Sequence, residues 1–171
     1  GAGGNIAVQV SDEGTLIVDS GDSAATGKVL AEVKKLQIRP VRWILNTSAD
    51  LEHTGGNAAI AKTGTANAVG GGAGNNGGPG GATAFNGDRA GILAFQNTLN
   101  RMSAPTGKTA SRPVDDWPTD TFFTQRKNFY HGGEPIEMWN VANAHSDGDI
   151  IVFFRKSDVI VSGDVITADR Y

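Results

Sequence analysis

Asn46-Thr47-Ser48-Ala49-Asp50-Leu51-Glu52-His53-Thr54-Gly55-Gly56-Asn57 follows directly on the apolar run Val41–Leu45. The run reads as a buried strand. The stretch after it holds two acidic residues and one histidine within positions 50–53. A loop leaving the carboxyl end of a strand can converge side chains on one point, and α/β folds place ligands there. Carboxylate oxygens with an imidazole suit Zn, Fe or Mn. By themselves these residues read more often as a solvated or helix-capping cluster than as a metal site.

The flanking sequence sets this stretch in an α/β domain. Residues 6–10 and 15–19 read as two strands joined at the Asp12-Glu13-Gly14 turn. Residues 24–36 carry Val29, Leu30, Val33 and Leu36 at helical spacing, with Lys28, Glu32, Lys34 and Lys35 on the other side. After the polar loop 46–54, residues 57–62 begin a helix. Residues 92–95 read as a strand, 96–102 as a short helix and 105–118 as a long connector. The remainder reads mostly as strands, at 121–123, 128–131, 135–141, 149–154 and 158–161, with a turn at Gly132-Gly133. The order strand–helix–strand–loop–helix implies an α/β layered single domain over residues 1–171. Residues 64–91 interrupt it with Gly70-Gly71-Gly72-Ala73-Gly74-Asn75-Asn76-Gly77-Gly78-Pro79-Gly80-Gly81, which reads as a flexible glycine-rich insertion.

Composition removes several function classes. The net charge is −3 and no basic run occurs, so nothing points to nucleic acid. No apolar stretch approaches the length of a bilayer-spanning helix. The absence of cysteine excludes disulfides, a thiol nucleophile and thiolate zinc sites. Any metal falls to Asp, Glu and the three histidines His53, His131 and His145. His131, beside a glycine turn, reads as structural. The lack of cysteine and the Gly/Asn/Thr-rich insertion lean toward a periplasmic or extracellular protein.

Two further polar clusters follow. Asn143-Ala144-His145-Ser146-Asp147-Gly148-Asp149 leads into the strand at Ile150, and Ser162-Gly163-Asp164 closes the run Val159-Ile160-Val161. Each reads alone as a turn or helix cap. Their order is more informative. With Gly3-Gly4-Asn5-Ile6, Val18-Asp19-Ser20-Gly21, Ile44-Leu45-Asn46-Thr47 and His53-Thr54-Gly55-Gly56-Asn57, they resemble the metallo-β-lactamase superfamily over nearly the whole chain outside the insertion.

That resemblance implies an αββα sandwich with a metal site at one edge, here mainly its N-terminal half. The family signature His-x-His-x-Asp-His aligns on Ser48-Ala49-Asp50-Leu51-Glu52-His53, where only His53 keeps the family residue. Ser48 and Asp50 replace two histidines of the first site, and Glu52 replaces an aspartate of the second. His145 matches a later histidine and Asp164 the bridging aspartate. The resemblance therefore implies a metal set of His53, His145, Asp164, Asp50 and Glu52. Asp50 or Glu52 is the expected base, and Asp19 supports the site from below. One ion, Zn or else Fe or Mn, is expected rather than two.

The expected activity is metal-dependent hydrolysis of an ester, lactone, lactam or similar bond in a small-molecule substrate. The alternative is a metal-poor relative that serves as a binding, structural or assembly protein; a redox di-iron role has less support. The missing C-terminal half of the fold is the expected partner for the exposed faces, and a second copy of the chain is another. No nucleic-acid or membrane partner is expected.

Overall fold

The computed structural model describes residues 4–36, 39–65, 89–107 and 109–166. Most of the glycine-rich insertion lies outside the described residues.

The chain opens with strands β1 (Ala7–Ser11) and β2 (Gly14–Val18), paired antiparallel. A short 3-10 turn at Ser23–Ala25 leads into helix α1 (Thr26–Leu36) and strand β3 (Val41–Leu45). Helices α2 (Leu51–Thr54) and α3 (Asn57–Lys62) follow, so the predicted polar loop 46–54 is helical at its end. Backbone bonds from His53 and Thr54 to the Asp50 carbonyl close that turn. Four residues of mixed polarity carry no periodicity that would announce it.

Strand β4 (Gly91–Phe95) runs into helix α4 (Gln96–Ser103). The expected connector carries a two-residue hairpin, β5 (Pro105–Thr106) with β6 (Thr109–Ala110), and a 3-10 turn at Val114–Asp116. Strands β7 (Asp120–Phe122), β8 (Arg126–His131), β9 (Glu134–Asn140), β10 (Ile150–Phe154) and β11 (Val159–Val161) complete the order.

Two sheets result. One has the order β1-β2-β3-β4-β7, and β2, β3, β4 and β7 run parallel. The other is the antiparallel meander β11-β10-β9-β8. Strands β2 and β4 of the first sheet are buried throughout, which explains their nearly continuous apolar sequence. Ile17, Ile44 and Ile92 face the helices, together with Val33 of α1 and Ile60 and Ala61 of α3. Leu16, Val18, Leu45 and Leu93 face the second sheet and meet Phe129, Ile136, Met138, Ile150, Val152 and Phe154. Full burial of each such side chain contributes about 1.5–3 kcal/mol.

Helices, first sheet and second sheet are three layers of the expected αββα sandwich. The far face of the second sheet has no fourth layer among the described residues. Trp139, Ile151, Phe153 and Ile160 instead line a groove of about 810 Å³ with Phe95 and Phe123, the last 77% exposed.

The parallel strands also position the site. β2, β3 and β4 all end at one edge of the sandwich, where Asp19, Asn46 and the segment carrying Asp50 and His53 emerge.

Candidate metal centre

The floor of this edge is a buried polar network. Asp19 leaves β2 in the left-handed region (φ 63°), a conformation that costs a non-glycine residue strain and turns its carboxylate inward. Oδ1 accepts from the Thr47 backbone N–H at 2.8 Å, and Oδ2 accepts from Thr47 Oγ1 at 2.6 Å. Oδ2 also lies 2.8 Å from His53 Nδ1. A carboxylate can only accept, so Nδ1 carries the proton. The His53 carbonyl in turn accepts from Ser20 N, Ser20 Oγ and Asn46 Nδ2. Asn46 and Asn57 exchange two amide bonds of 3.0 and 2.8 Å, which ties the end of β3 to α3.

This network aims His53 Nε2 at Asp164. The nitrogen is 3.0 Å from Asp164 Oδ2, yet it is off the line of a hydrogen bond and has no hydrogen-bond partner. The contact is therefore an ionic one. Burial pulls the His53 pKa down, but the hydrogen bond and charge of Asp19, reinforced by Asp164, outweigh it and raise it to about 9. His53 is a cation held between two carboxylates at neutral pH.

Asp164 reaches this point from a 3-10 turn at Gly163–Val165 after β11. Gly163 has φ 51°, and a Cβ there would collide with the Thr47 side chain. Glycine is required because the turn must touch the residue that holds Asp19.

The rim is more open. Asp50, His145 and Asp164 each bring one ligand atom into a group whose members lie within 4.8 Å of one another. His145 Nδ1 is 3.4 Å from Asp50 Oδ2, and both side chains are partly exposed. The loop carrying His145 is shaped by buried Asp149, which accepts from Ser146 N at 2.6 Å and Ser146 Oγ at 2.5 Å. Ile150 N donates to the Thr47 carbonyl, which anchors the loop to the stretch after β3.

The expected residues are thus distributed unevenly. Asp50, His145 and Asp164 form the metal-capable group, and His53 touches it through Asp164. Glu52 is exposed on α2 and in no such group among the described residues. Ser48 is buried beneath the segment, where its Oγ faces the Asp50 N–H at 3.4 Å. His131 is buried beside the β1–β2 turn, with Nδ1 3.6 Å from Glu13 Oε2. Asn46, Thr47 and Gly163 lie in segments that carry the family resemblance, but nothing in the sequence assigned them a role at the site.

A two-sheet α/β sandwich with carboxylates and histidines gathered at one edge defines a metallo-hydrolase-type fold. The sequence profile of the metallo-β-lactamase superfamily matches residues 1–170, and the chain belongs to that superfamily. No curated protein sequence matches it. Solved structures agree on the fold. A metallo-β-lactamase with a HARLDQ motif from Cronobacter sakazakii is 16% identical with a TM-score of 0.65, covering 94% of this chain and 53% of its own. A class B3 di-zinc metallo-β-lactamase from an Alaskan soil metagenome is 18% identical with a TM-score of 0.60, covering 86% and 49%. A Thermotoga maritima flavoprotein shares the fold at 11% identity and a TM-score of 0.61, covering 92% and 32%. The chain spans about half the length of these two solved lactamases, 53% and 49%.

Proposed function

We propose that the chain carries a single-ion hydrolase centre in which Asp50, His145 and Asp164 hold one divalent cation, Zn or else Fe or Mn. The convergence of those three donors within 4.8 Å carries the reading. The donor set fits such an ion, because two carboxylates and an imidazole suit borderline and hard divalent cations. His53 Nε2, buried 3.0 Å from Asp164, becomes a further donor only when it gives up the proton that pairs it with Asp164.

When bound, the ion supplies a Lewis acid that acidifies a water and polarises a carbonyl or phosphoryl oxygen. The protein's own groups supply orientation. Asp19 keeps the His53 proton on Nδ1 and so points Nε2 at Asp164. Asp50, at the open side of the group, can orient a water and accept its proton at a carboxylate oxygen. Glu52, exposed one residue before His53, is the second carboxylate offered for that role. The substrate class is a small molecule with an ester, lactone, lactam or similar bond. We infer that the apolar far face of the second sheet is covered by polypeptide equivalent to the other half of the solved relatives; a second copy of the chain is the competing occupant.

One observation favours a metal-poor binding or assembly protein instead: His53 is already paired on both sides by Asp19 and Asp164. Elemental analysis of the purified full-length protein, produced with Zn, Fe and Mn available, separates the two readings. About one ion per chain is expected. Less than about a tenth of an ion, not restored by added metal, overturns the hydrolase reading.

A further inference from the structure

The segment from Ser111 to Thr119 is bound like a strap across the back of the metal edge. Ser111 Oγ donates to the carbonyls of Arg101 and Met102 and so closes the last turn of α4. Trp117 Nε1 donates to the Arg112 carbonyl at 3.0 Å and folds the strap on itself. Asp116 accepts at Oδ1 from the Ala58 N–H of α3 at 3.1 Å, and its carbonyl accepts from Asn57 Nδ2 at 2.9 Å. Thr119 pairs with Ile92 of β4.

Within this strap Arg112 reaches furthest. Its half-buried guanidinium donates from Nη2 to the Ala49 carbonyl at 3.2 Å, across 63 positions of sequence. Ala49 immediately precedes Asp50. From within α2, Thr54 Oγ1 donates to the same carbonyl at 3.3 Å and to the Asp50 carbonyl at 2.9 Å. The backbone that presents the Asp50 carboxylate is therefore gripped by the strap and by α2. Ligand placement to a fraction of an ångström decides affinity at a metal site, and partners that orient ligands govern it.

We propose that Arg112 is a positioning residue for the metal site, which holds the Ala49–Asp50 backbone so that Asp50 meets His145 and Asp164. The inference rests on the metal-site reading above. The expected sign is unusual. A guanidinium beside a cation site repels the ion, so removing it should tighten binding if charge were its only effect. A positioning role requires the opposite.

Mn²⁺ and Zn²⁺ titrations by calorimetry on the purified full-length protein test this. Arg112→Ala and Arg112→Met should each weaken binding by about tenfold, the scale for loss of a group that orients a ligand. Methionine keeps the length of the stem, so its loss isolates the donor from the packing. Arg112→Lys restores a donor and should recover most of the affinity. Lys28→Ala, which removes one exposed positive charge from α1, should leave affinity unchanged. Metal binding by the wild type with equal or tighter binding in Arg112→Met overturns the role of Arg112 alone. Failure of Arg112→Lys to exceed Arg112→Met overturns it equally. Absence of binding in the wild type overturns the metal reading, and the role of Arg112 with it.

Discussion

His53 and Asp19 lie on the buried floor of the metal edge, whereas Asp50 and His145 stand at its rim with side chains 44% and 56% exposed. Every polar contact of the floor is answered within the protein except His53 Nε2. Asp19 alone satisfies a backbone N–H, a hydroxyl and an imidazole. The rim has a single loose pairing at 3.4 Å, and its geometry depends on the loop that holds His145 and on the strap behind Ala49. The difference assigns separate tasks. On the proposed reading, the floor contributes to folding whether or not an ion is present, and the rim contributes mainly when one is. The departure from the family signature at Asp50 follows that division, since Asp50 stands at the exposed rim, whereas Ser48 is buried beneath it.

Four experiments bear on the contrast. Asp19→Ala should have the largest effect. It leaves the Thr47 N–H, Thr47 Oγ1 and a buried His53 without their acceptor, and breaking such a buried pair costs about 3–5 kcal/mol. Urea unfolding of the metal-free protein measures it; a loss below about 1 kcal/mol would show that the floor does not hold the edge together.

The pH dependence of stability comes next. The folded pKa of His53 is raised from 6.5 to about 9. Its contribution is therefore complete below about pH 6.5 and fades as pH rises through about 9, where the folded protein loses the proton. Chemical unfolding of the metal-free protein across that window should show the decline, and Asp19→Asn should flatten it. An identical profile in the variant would remove His53 as the source.

Gly163→Ala should cost about 1–3 kcal/mol, because the new Cβ meets Thr47 at a positive φ. Its thermal midpoint should fall without any contact to an ion, which tests whether the Asp164 turn is built against the floor. The smallest stability change is expected at the rim. Asp50→Ala or His145→Ala should alter metal-free stability by no more than about 0.5 kcal/mol. Either should nevertheless remove metal binding in a calorimetric titration. A large stability loss there would erase the distinction between rim and floor.

Much of the first sheet is legible in the amino-acid sequence. Strands such as Gly91–Phe95 are buried throughout and so read as unbroken apolar runs, and helix 24–36 shows its stripe of Val29, Leu30 and Val33. The second sheet is legible partly through alternation, as along residues 135–141, and partly as the continuous apolar run Ile150–Phe154, whose outer-face residues Ile151 and Phe153 are as apolar as its inner ones. Helix α2 is not legible, because four residues hold too few apolar positions to show a period. The pairing of β7 with β4 is equally hidden, since three residues, Asp120–Phe122, specify no partner by themselves.

The candidate site divides the same way. The sequence by itself determined the family, the order of the ligand-bearing segments and the candidates Asp50, Glu52, His53, His145 and Asp164, because residue type and chain order carry that information. Only the tertiary structure separated Glu52, exposed on α2, from the group of Asp50, His145 and Asp164. It alone paired His53 with Asp19 across 34 positions and Arg112 with Ala49 across 63. Hydrogen bonds and ion pairs depend on distance and direction, and the separation of two residues along a chain sets neither until the layers pack.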